Sequence, residues 1–538
     1  MLQARNGTFA SMAAVVLGIG VAFVGWLPGR LWAAGSRDEA SGPSAGSAGI
    51  AWRMASTDAE VDAAFAEART AGKPLFLYWG AVWCPPCNQV KATVFNRVDF
   101  IERTRAFVPV YVDGDRPGAQ KLGARFRVSG YPTLVLFSPT GTEVTRLPGE
   151  VEAGRYMQVM TLGLEARRPA KAVLAAALGP SPALTPAEWR LLAYYSWDTD
   201  EQQLVPAGEL PSVLRRLAER CPVRESDSAT RLWLKSLAAR GSKDAAKAAS
   251  PPQPESRATV ERLLAFLRDP SAVRRHADVV ENDAPAIARA ASRGRDARNV
   301  AAAFDAALRR LQADATLSRA DRLGALDARV ELAGFGGGPV PEALQVEVRT
   351  AAAKADREIT DGYERQAVIP SAAQLLDEAG LTADARRLLL DNLAKSHSPY
   401  YLMSGLAEIE AEHGSKTEAL RWYREAWNAS VGPATRLQWG ARYVRALTEL
   451  APGDEVAVRE AALRVLDEAA AQPDAFYERS ARALKRMGSV LRDWSRDGRH
   501  ADTWGRFAAQ VQALCDRYAP GDAQRESCES VVAPKPGA

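Results

Sequence analysis

Hydrophobic and polar positions fall into three regimes along the chain. Residues 6–29 carry no charge, with Arg5 before them and Arg30 after, and the apolar part runs from Ala13 to Leu27. That is long for a signal-peptide core and short for a membrane span of about 20 residues. Residues 1–35 therefore read either as a signal cleaved near Ala33-Ala34-Gly35 or as an uncleaved anchor. Both readings export the chain to an oxidising compartment, where disulfides persist. The expected location is the periplasm or another extracytoplasmic space, soluble after cleavage or anchored to the inner membrane. Residues 36–49, rich in Gly, Ser and Ala, predict a flexible linker.

Residues 50–165 predict a compact α/β domain. Val61, Ala64, Phe65 and Ala68 recur at helical spacing between Thr57 and Arg69. Leu75 to Trp79 is a continuous apolar run, as in a buried strand. After Trp83-Cys84-Pro85-Pro86-Cys87 comes a helical stretch with Val90, Val94, Val98 and Ile101 near one face. Phe107–Val112 and Thr133–Phe137 read as strands. Pro139-Thr140-Gly141 turns the chain into a fourth strand, Glu143–Leu147, and a helix covers Glu152–Leu164. The predicted order is α-β-α-β, a hairpin, then α.

Beyond Ala170 the apolar residues recur at three and four, and no strand stands out, so the remainder predicts an all-α region. Residues 166–240 form a first helical segment, with Leu191, Leu192, Tyr195, Leu214 and Leu217 on its apolar stripes. Residues 241–257, rich in Ala, Ser and Pro, read as a linker. Residues 258–532 form a second helical domain, broken between Gly334 and Pro341, and 533–538 a tail. Within it Gly380 and Gly414, Ala385 and Ala419, Leu389 and Tyr423, Leu393 and Trp427, and Pro399 and Pro433 are each 34 residues apart. Leu375 and Ile409 keep the same period.

Composition narrows the function classes. With 69 Lys and Arg against 65 Asp and Glu, the formal charge is +4 over 538 residues, which gives no electrostatic reason to expect nucleic acid. Four scattered His and five Cys exclude a dense disulfide scaffold and argue against a multi-ligand zinc site, so no metal is expected. No G-x-S-x-G, H-E-x-x-H or P-loop is present.

The chemistry concentrates in Cys84-Pro85-Pro86-Cys87. Two cysteines three apart at a helix start close a small disulfide. The first lies where unpaired backbone N–H groups and the macrodipole stabilise a thiolate, the nucleophile of disulfide exchange. The second lies one turn in, shielded, and resolves the mixed disulfide. Pro86 fits the first turn, where a missing N–H is tolerated. An inert disulfide or half of a zinc site is the competing reading.

Trp79, Trp83-Cys84-x-x-Cys87 and Gly130-Tyr131-Pro132-Thr133 together resemble the thioredoxin superfamily in order and spacing. Lys91, Val94-Phe95, Phe100-Ile101, Phe107 to Val110 and Asp113 are similar to the thioredoxin-like domain of DsbD-type thiol:disulfide interchange proteins. The resemblance covers about a fifth of the chain. It implies a central mixed sheet flanked by helices, a redox-active Cys84–Cys87 disulfide, a cis-proline at Pro132, and a substrate groove formed by Trp83, Tyr131 and Pro132. No cofactor is implied, because the dithiol carries the two electrons. The sequence departs from thioredoxin in two ways. Tyr78 stands where thioredoxin has a buried Asp, with the partner Lys position falling near Pro109, and Pro85-Pro86 lacks the His of strongly oxidising relatives. Asp113 and Asp115 are expected in a solvated loop, and Trp79 in the core.

The stretch from Leu406, with Ala407, Gly414, Ala419, Tyr423 and Ala426, resembles the tetratricopeptide repeat, clearest over residues 372–440 and lacking the signature Trp. That likeness implies a surface for protein segments, with Trp422, Tyr423 and Trp427 as groove or inter-repeat core. Cys515 and Cys528 are candidates for a structural disulfide; Cys221 is then left over, as a buried thiol or a relay to Cys84. The whole chain thus predicts an exported thiol–disulfide oxidoreductase. Its expected partners are protein thiol and disulfide clients and a membrane electron donor. The alternative is a helical scaffold, adaptor or chaperone in which the α/β domain is a docking module.

Overall fold

A computed structural model describes residues 49–534 apart from 129, 150, 181–182, 201–202, 243–254, 292–294 and 336–337. The predicted signal or anchor, the Gly/Ser linker, most of the 241–257 linker and most of the tail lie outside the described residues. Among the described residues no helix is long and apolar enough to cross a membrane.

The α/β domain is built from β1 (Arg53–Ala55), α1 (Asp58–Ala71), β2 (Leu75–Gly80), α2 (Pro85–Val90), α3 (Val98–Arg103), β3 (Val108–Asp113), α4 (Ala119–Phe126), β4 (Thr133–Phe137), β5 (Glu143–Leu147) and α5 (Ala153–Leu164). Its sheet runs β1-β3-β2-β4-β5, with β3 parallel to both neighbours and β4 antiparallel to β2 and β5. Two elements escaped the sequence pattern. β1 is three residues long, too short to show a period, and α4 is eight residues long and starts directly after Pro117-Gly118.

Local chemistry fixes the boundaries. Thr57 and Glu60 close a capping box ahead of α1, and Gly72 ends that helix at φ 63°. All six residues of β2 are buried. Leu75, Leu77 and Trp79 pack with Val61 and Phe65 of α1 and Leu122 of α4. Phe76 and Tyr78 point to the other face, among Val90, Phe95 and Phe100. At about 1.5–3 kcal/mol for each large apolar side chain buried, this double-sided strand anchors the domain.

The rest of the described chain is helical. Helices Thr382–Asn392 and Lys416–Ala429 start 34 residues apart, as do Pro399–His413 and Pro433–Leu450, each of the latter pair opening on a proline. Ala407, Ala419 and Ala426 are fully buried where the helices approach. Trp422 and Trp427 are buried too and form core, not groove. One face of the α/β sheet has a core of its own, and the helical region has three, but a further core is shared by both. One apolar cluster passes from Phe76, Tyr78 and Cys87 through Trp83 to Tyr400, Trp427 and Trp439, and on to Val511, Cys515 and Cys528.

Candidate active site

Cys84 is the N-cap of α2, and Pro85 and Pro86 fill the first two helical positions. Neither proline has an N–H, so Cys87 supplies the first free donor of the helix, and its N–H points at Cys84 Sγ, 3.2 Å away. Cys84 and Cys87 are joined as a disulfide, with Cα atoms 5.2 Å apart. Asn88 ties down the approach: its Nδ2 donates to the carbonyls of Val82 and Cys84 at 2.7 and 2.8 Å. The Tyr131–Pro132 peptide is cis.

The predicted groove residues are brought together, and then covered. Trp83 meets Tyr131 edge-on at 5.9 Å, while Tyr131 stacks on Trp79. Onto this pair the helical region lays four helices. From Gly362–Glu378, Gln366 Nε2 donates to the Trp83 carbonyl at 2.9 Å. From Pro399–His413, Tyr401 stacks on Trp83 at 5.7 Å. From Pro433–Leu450, Trp439 meets Trp83 edge-on at 5.4 Å. From Glu478–Trp494, the Arg479 guanidinium lies 4.3 Å from the Trp83 ring centre and 5.0 Å from that of Tyr131. Cys84 is 2% exposed, Cys87 0% and Trp83 7%. Within the motif only Pro86 is exposed, and Pro85 is half-buried. A groove of about 360 Å³ runs along the covering helices and has Pro85 in its wall.

The loop after β3 corrects the sequence reading. Asp113 closes β3 and Asp115 follows in the turn, and both are half-buried rather than in a solvated loop. Trp83 Nε1 donates to Asp115 Oδ2 at 2.7 Å, and Thr435 donates to Asp115 Oδ1 from its N at 2.9 Å and its Oγ1 at 2.7 Å. Burial pushes the Asp115 carboxyl up, against the pull of these donors. Burial, with the charge of Asp115 behind it, lifts Asp113 to about 6. Gln120 is a second tie between the two regions: its N donates to Asp474 Oδ2 and its Oε1 accepts from Arg479 N, both at 2.9 Å.

The strand residue opposite Tyr78 is Tyr111; Pro109 pairs with Phe76 instead. Tyr78 and Tyr111 stack at 4.9 Å, their hydroxyls buried without partners. Burial raises both phenols well above their usual range, so neither takes a proton. Lys91 lies over the Tyr111 ring at 5.5 Å and that of Tyr363, from the helical region, at 5.3 Å; burial lowers its ammonium.

Two cysteines at the far end, Cys515 and Cys528, form a buried disulfide with Cα atoms 5.5 Å apart. Cys221 is a free, buried thiol, pushed up to about 11 by burial first and then by Glu225. Among the described residues, Asp377, Glu412 and His413 bring one potential metal-ligand atom each within 4.8 Å of one another, two of the three exposed. Such acidic surfaces are common without an ion. Gln366, Tyr401, Thr435, Trp439 and Arg479 were not found from the sequence. They lie more than 230 residues from the cysteines, and no local pattern marks them.

Residues 61–163 match the family model of the thioredoxin-like domain. The chain is 35% identical over 106 residues to thiol:disulfide interchange protein DsbD 1 of Pseudomonas aeruginosa, covering 19% of this chain and 18% of that protein. It is 32% identical over 136 residues to DsbD 2 of the same organism, covering 24% and 23%. The chain therefore spans less than a quarter of the length of these relatives. A solved structure titled DsbH oxidoreductase matches 25% of this chain and 97% of that one, at 20% identity and TM-score 0.19, too low to bear on function. The α/β portion is a thioredoxin-like domain with a C-x-x-C, and the helical region has no part in the family match.

Proposed function

We propose that the protein is an exported thiol–disulfide oxidoreductase acting on protein clients, with Cys84 as nucleophile and Cys87 as resolving thiol. The observation that carries this reading is the Cys84–Cys87 disulfide capping a helix within a thioredoxin-like domain. Reduced, Cys84 attacks a client disulfide and expels one client thiolate. The Cys87 thiolate then attacks the Cys84 sulfur of the mixed disulfide, releasing the second client thiolate and closing the Cys84–Cys87 bond. Two electrons pass to the client, and the protons go to solvent. The Cys87 N–H that meets Cys84 Sγ stabilises the attacking thiolate. Trp83, Tyr131 and Pro132 are assigned to client binding. Recharging the pair in an oxidising compartment calls for an electron donor, for which a membrane protein is proposed. The uncharged N-terminal run supports export. In cells, Cys87→Ser should accumulate client mixed disulfides through Cys84, and Cys84→Ala should accumulate none; equal, empty traps from both variants would remove the enzyme reading.

Burial of both sulfurs favours a second reading, in which the helical region carries the function and the α/β domain is a folded part of it. A phenotype that survives Cys84→Ala but is lost on deleting residues 372–440 selects that reading.

A further inference from the structure

A thioredoxin-like groove normally stands open to an extended client, yet here the same chain fills it. Contacts from four helical-region residues fall on Trp83 and Tyr131, the residues assigned to client binding. Gln366 takes the Trp83 carbonyl, Tyr401 stacks on the Trp83 ring with Trp439 edge-on beside it, and Arg479 spans Trp83 and Tyr131. The contacts are also specific in a way that loose packing is not. Ser396 Oγ donates to Gln366 Oε1 at 2.9 Å and fixes which end of that amide faces Trp83. Thr435 gives both of its donors to Asp115 Oδ1, the carboxylate that holds the Trp83 indole. At the edge of the site, Gln89 of α2 donates to Asp321 Oδ1 at 2.8 Å, and Gln120 is held by Asp474 and Arg479.

Polar and charged groups run through this interface. It mixes aromatic faces with side-chain hydrogen bonds whose members all have polar alternatives in water, and it includes Asp115 and Arg479, two charged groups that burial destabilises. The groove beside Pro85, walled by Pro370, Tyr401, Ser404, Glu408 and Arg442, already brings solvent-sized space to the motif from one side.

We infer that the helical region is a cover on the dithiol: with the cover down the Cys84–Cys87 pair exchanges with small thiols, and a protein client reaches Cys84 only when the face bearing Gln366, Tyr401, Thr435 and Arg479 lifts from the Trp83–Tyr131 groove. This inference rests on the oxidoreductase reading and adds its regulation. In the closed form one small thiolate attacks Cys84 Sγ and expels the Cys87 thiolate. A second small thiolate then releases the Cys84 thiolate as a small-molecule disulfide forms, so two thiols are oxidised and one protein disulfide is reduced. A protein client pays for opening, so its apparent rate is scaled down by the open fraction.

The test needs no turnover, so it stands or falls separately from client trapping. The reduced full-length protein is alkylated with iodoacetamide or with a maleimide carried on a long polyethylene glycol chain, and modified cysteines are assigned by peptide mass spectrometry. Iodoacetamide should label Cys84 in the wild-type protein, and the polymer reagent should lag far behind its rate on the urea-unfolded chain. In Gln366→Leu/Thr435→Val the polymer rate at Cys84 should rise about tenfold or more, with the iodoacetamide rate changed by less than about threefold. Asp474→Asn, which loosens the same interface at Gln120, should move the polymer rate in the same direction if the double variant does not fold. Equal polymer rates in the wild-type and loosened proteins would overturn the cover. Failure of iodoacetamide to label folded Cys84 would overturn its small-thiol half.

Discussion

Glu281, on helix Ala277–Ala291, has its Oε1 buried with no hydrogen-bond partner. Burial, then the charges of Asp321 and Asp278, push its carboxyl from an ordinary 4.5 up to about 10. It is therefore neutral in the folded protein through the physiological range and ionised in the unfolded chain. The sign follows directly. Below about pH 4.5 both states hold the proton and nothing is lost; above it only the unfolded state releases it, and stability falls by about 1.4 kcal/mol per pH unit until the folded group titrates. At about pH 7.5 that amounts to about 4 kcal/mol, an upper figure because a carboxyl this perturbed relaxes its surroundings. Glu281→Gln keeps the shape and the neutral state and removes the titration. The variant should match the wild type at about pH 4.5 and exceed it progressively towards pH 8. Urea unfolding of the full chain, followed by circular dichroism across that range, reads the difference. A gap that stays flat with pH, or a variant less stable throughout, refutes the reasoning.

Replacing both Cys515 and Cys528 with Ser opens a loop with a sequence separation of 13. It should cost about 3 kcal/mol by loop-closure entropy, seen as a lower calorimetric transition for the C-terminal helices; an unchanged transition argues that the unfolded state gains nothing from losing the bridge. Tyr78→Phe deletes a buried hydroxyl that has no partner. Stability in thermal melts should hold or rise by about 1 kcal/mol, and mixed-disulfide resolution by Cys87 should keep its rate. A slowed resolution step would show that the phenol handles the proton after all.

Legibility tracked how local the cause was. α1 was visible because Val61, Ala64, Phe65 and Ala68 share one face, and the structure places the helix at Asp58–Ala71. β2, β3 and β4 showed as largely apolar runs and β5 as the strand that follows the Pro139-Thr140-Gly141 turn, and the Cys84–Cys87 motif with its helix start was readable outright. β1 and α4 were missed because three residues, or eight beginning beside Pro117-Gly118, give period too little room. Asp115 illustrates a different failure. Between Gly114 and Arg116 it has every local mark of a solvated turn, and its burial comes from Trp83 and Thr435, the latter 320 residues away.

By itself, the sequence determined which atoms can do chemistry. It placed a dithiol at a helix start within an α/β pattern, because spacing along one short segment sets those relations, while the place of Tyr131-Pro132-Thr133 beside the dithiol was implied by the resemblance to the thioredoxin superfamily. It also set the helical remainder and its 34-residue period, since amphipathic stripes and small residues at the turns repeat locally. The tertiary structure decided who may reach that dithiol. Gln366, Tyr401, Thr435, Trp439 and Arg479 come from four helices spread over more than a hundred residues. They meet at Trp83 and at Asp115, which holds its indole, because one apolar core joins the two regions. Such a meeting leaves no period, motif or charge pattern in any segment of the chain, since it depends on distances between helices that only packing sets.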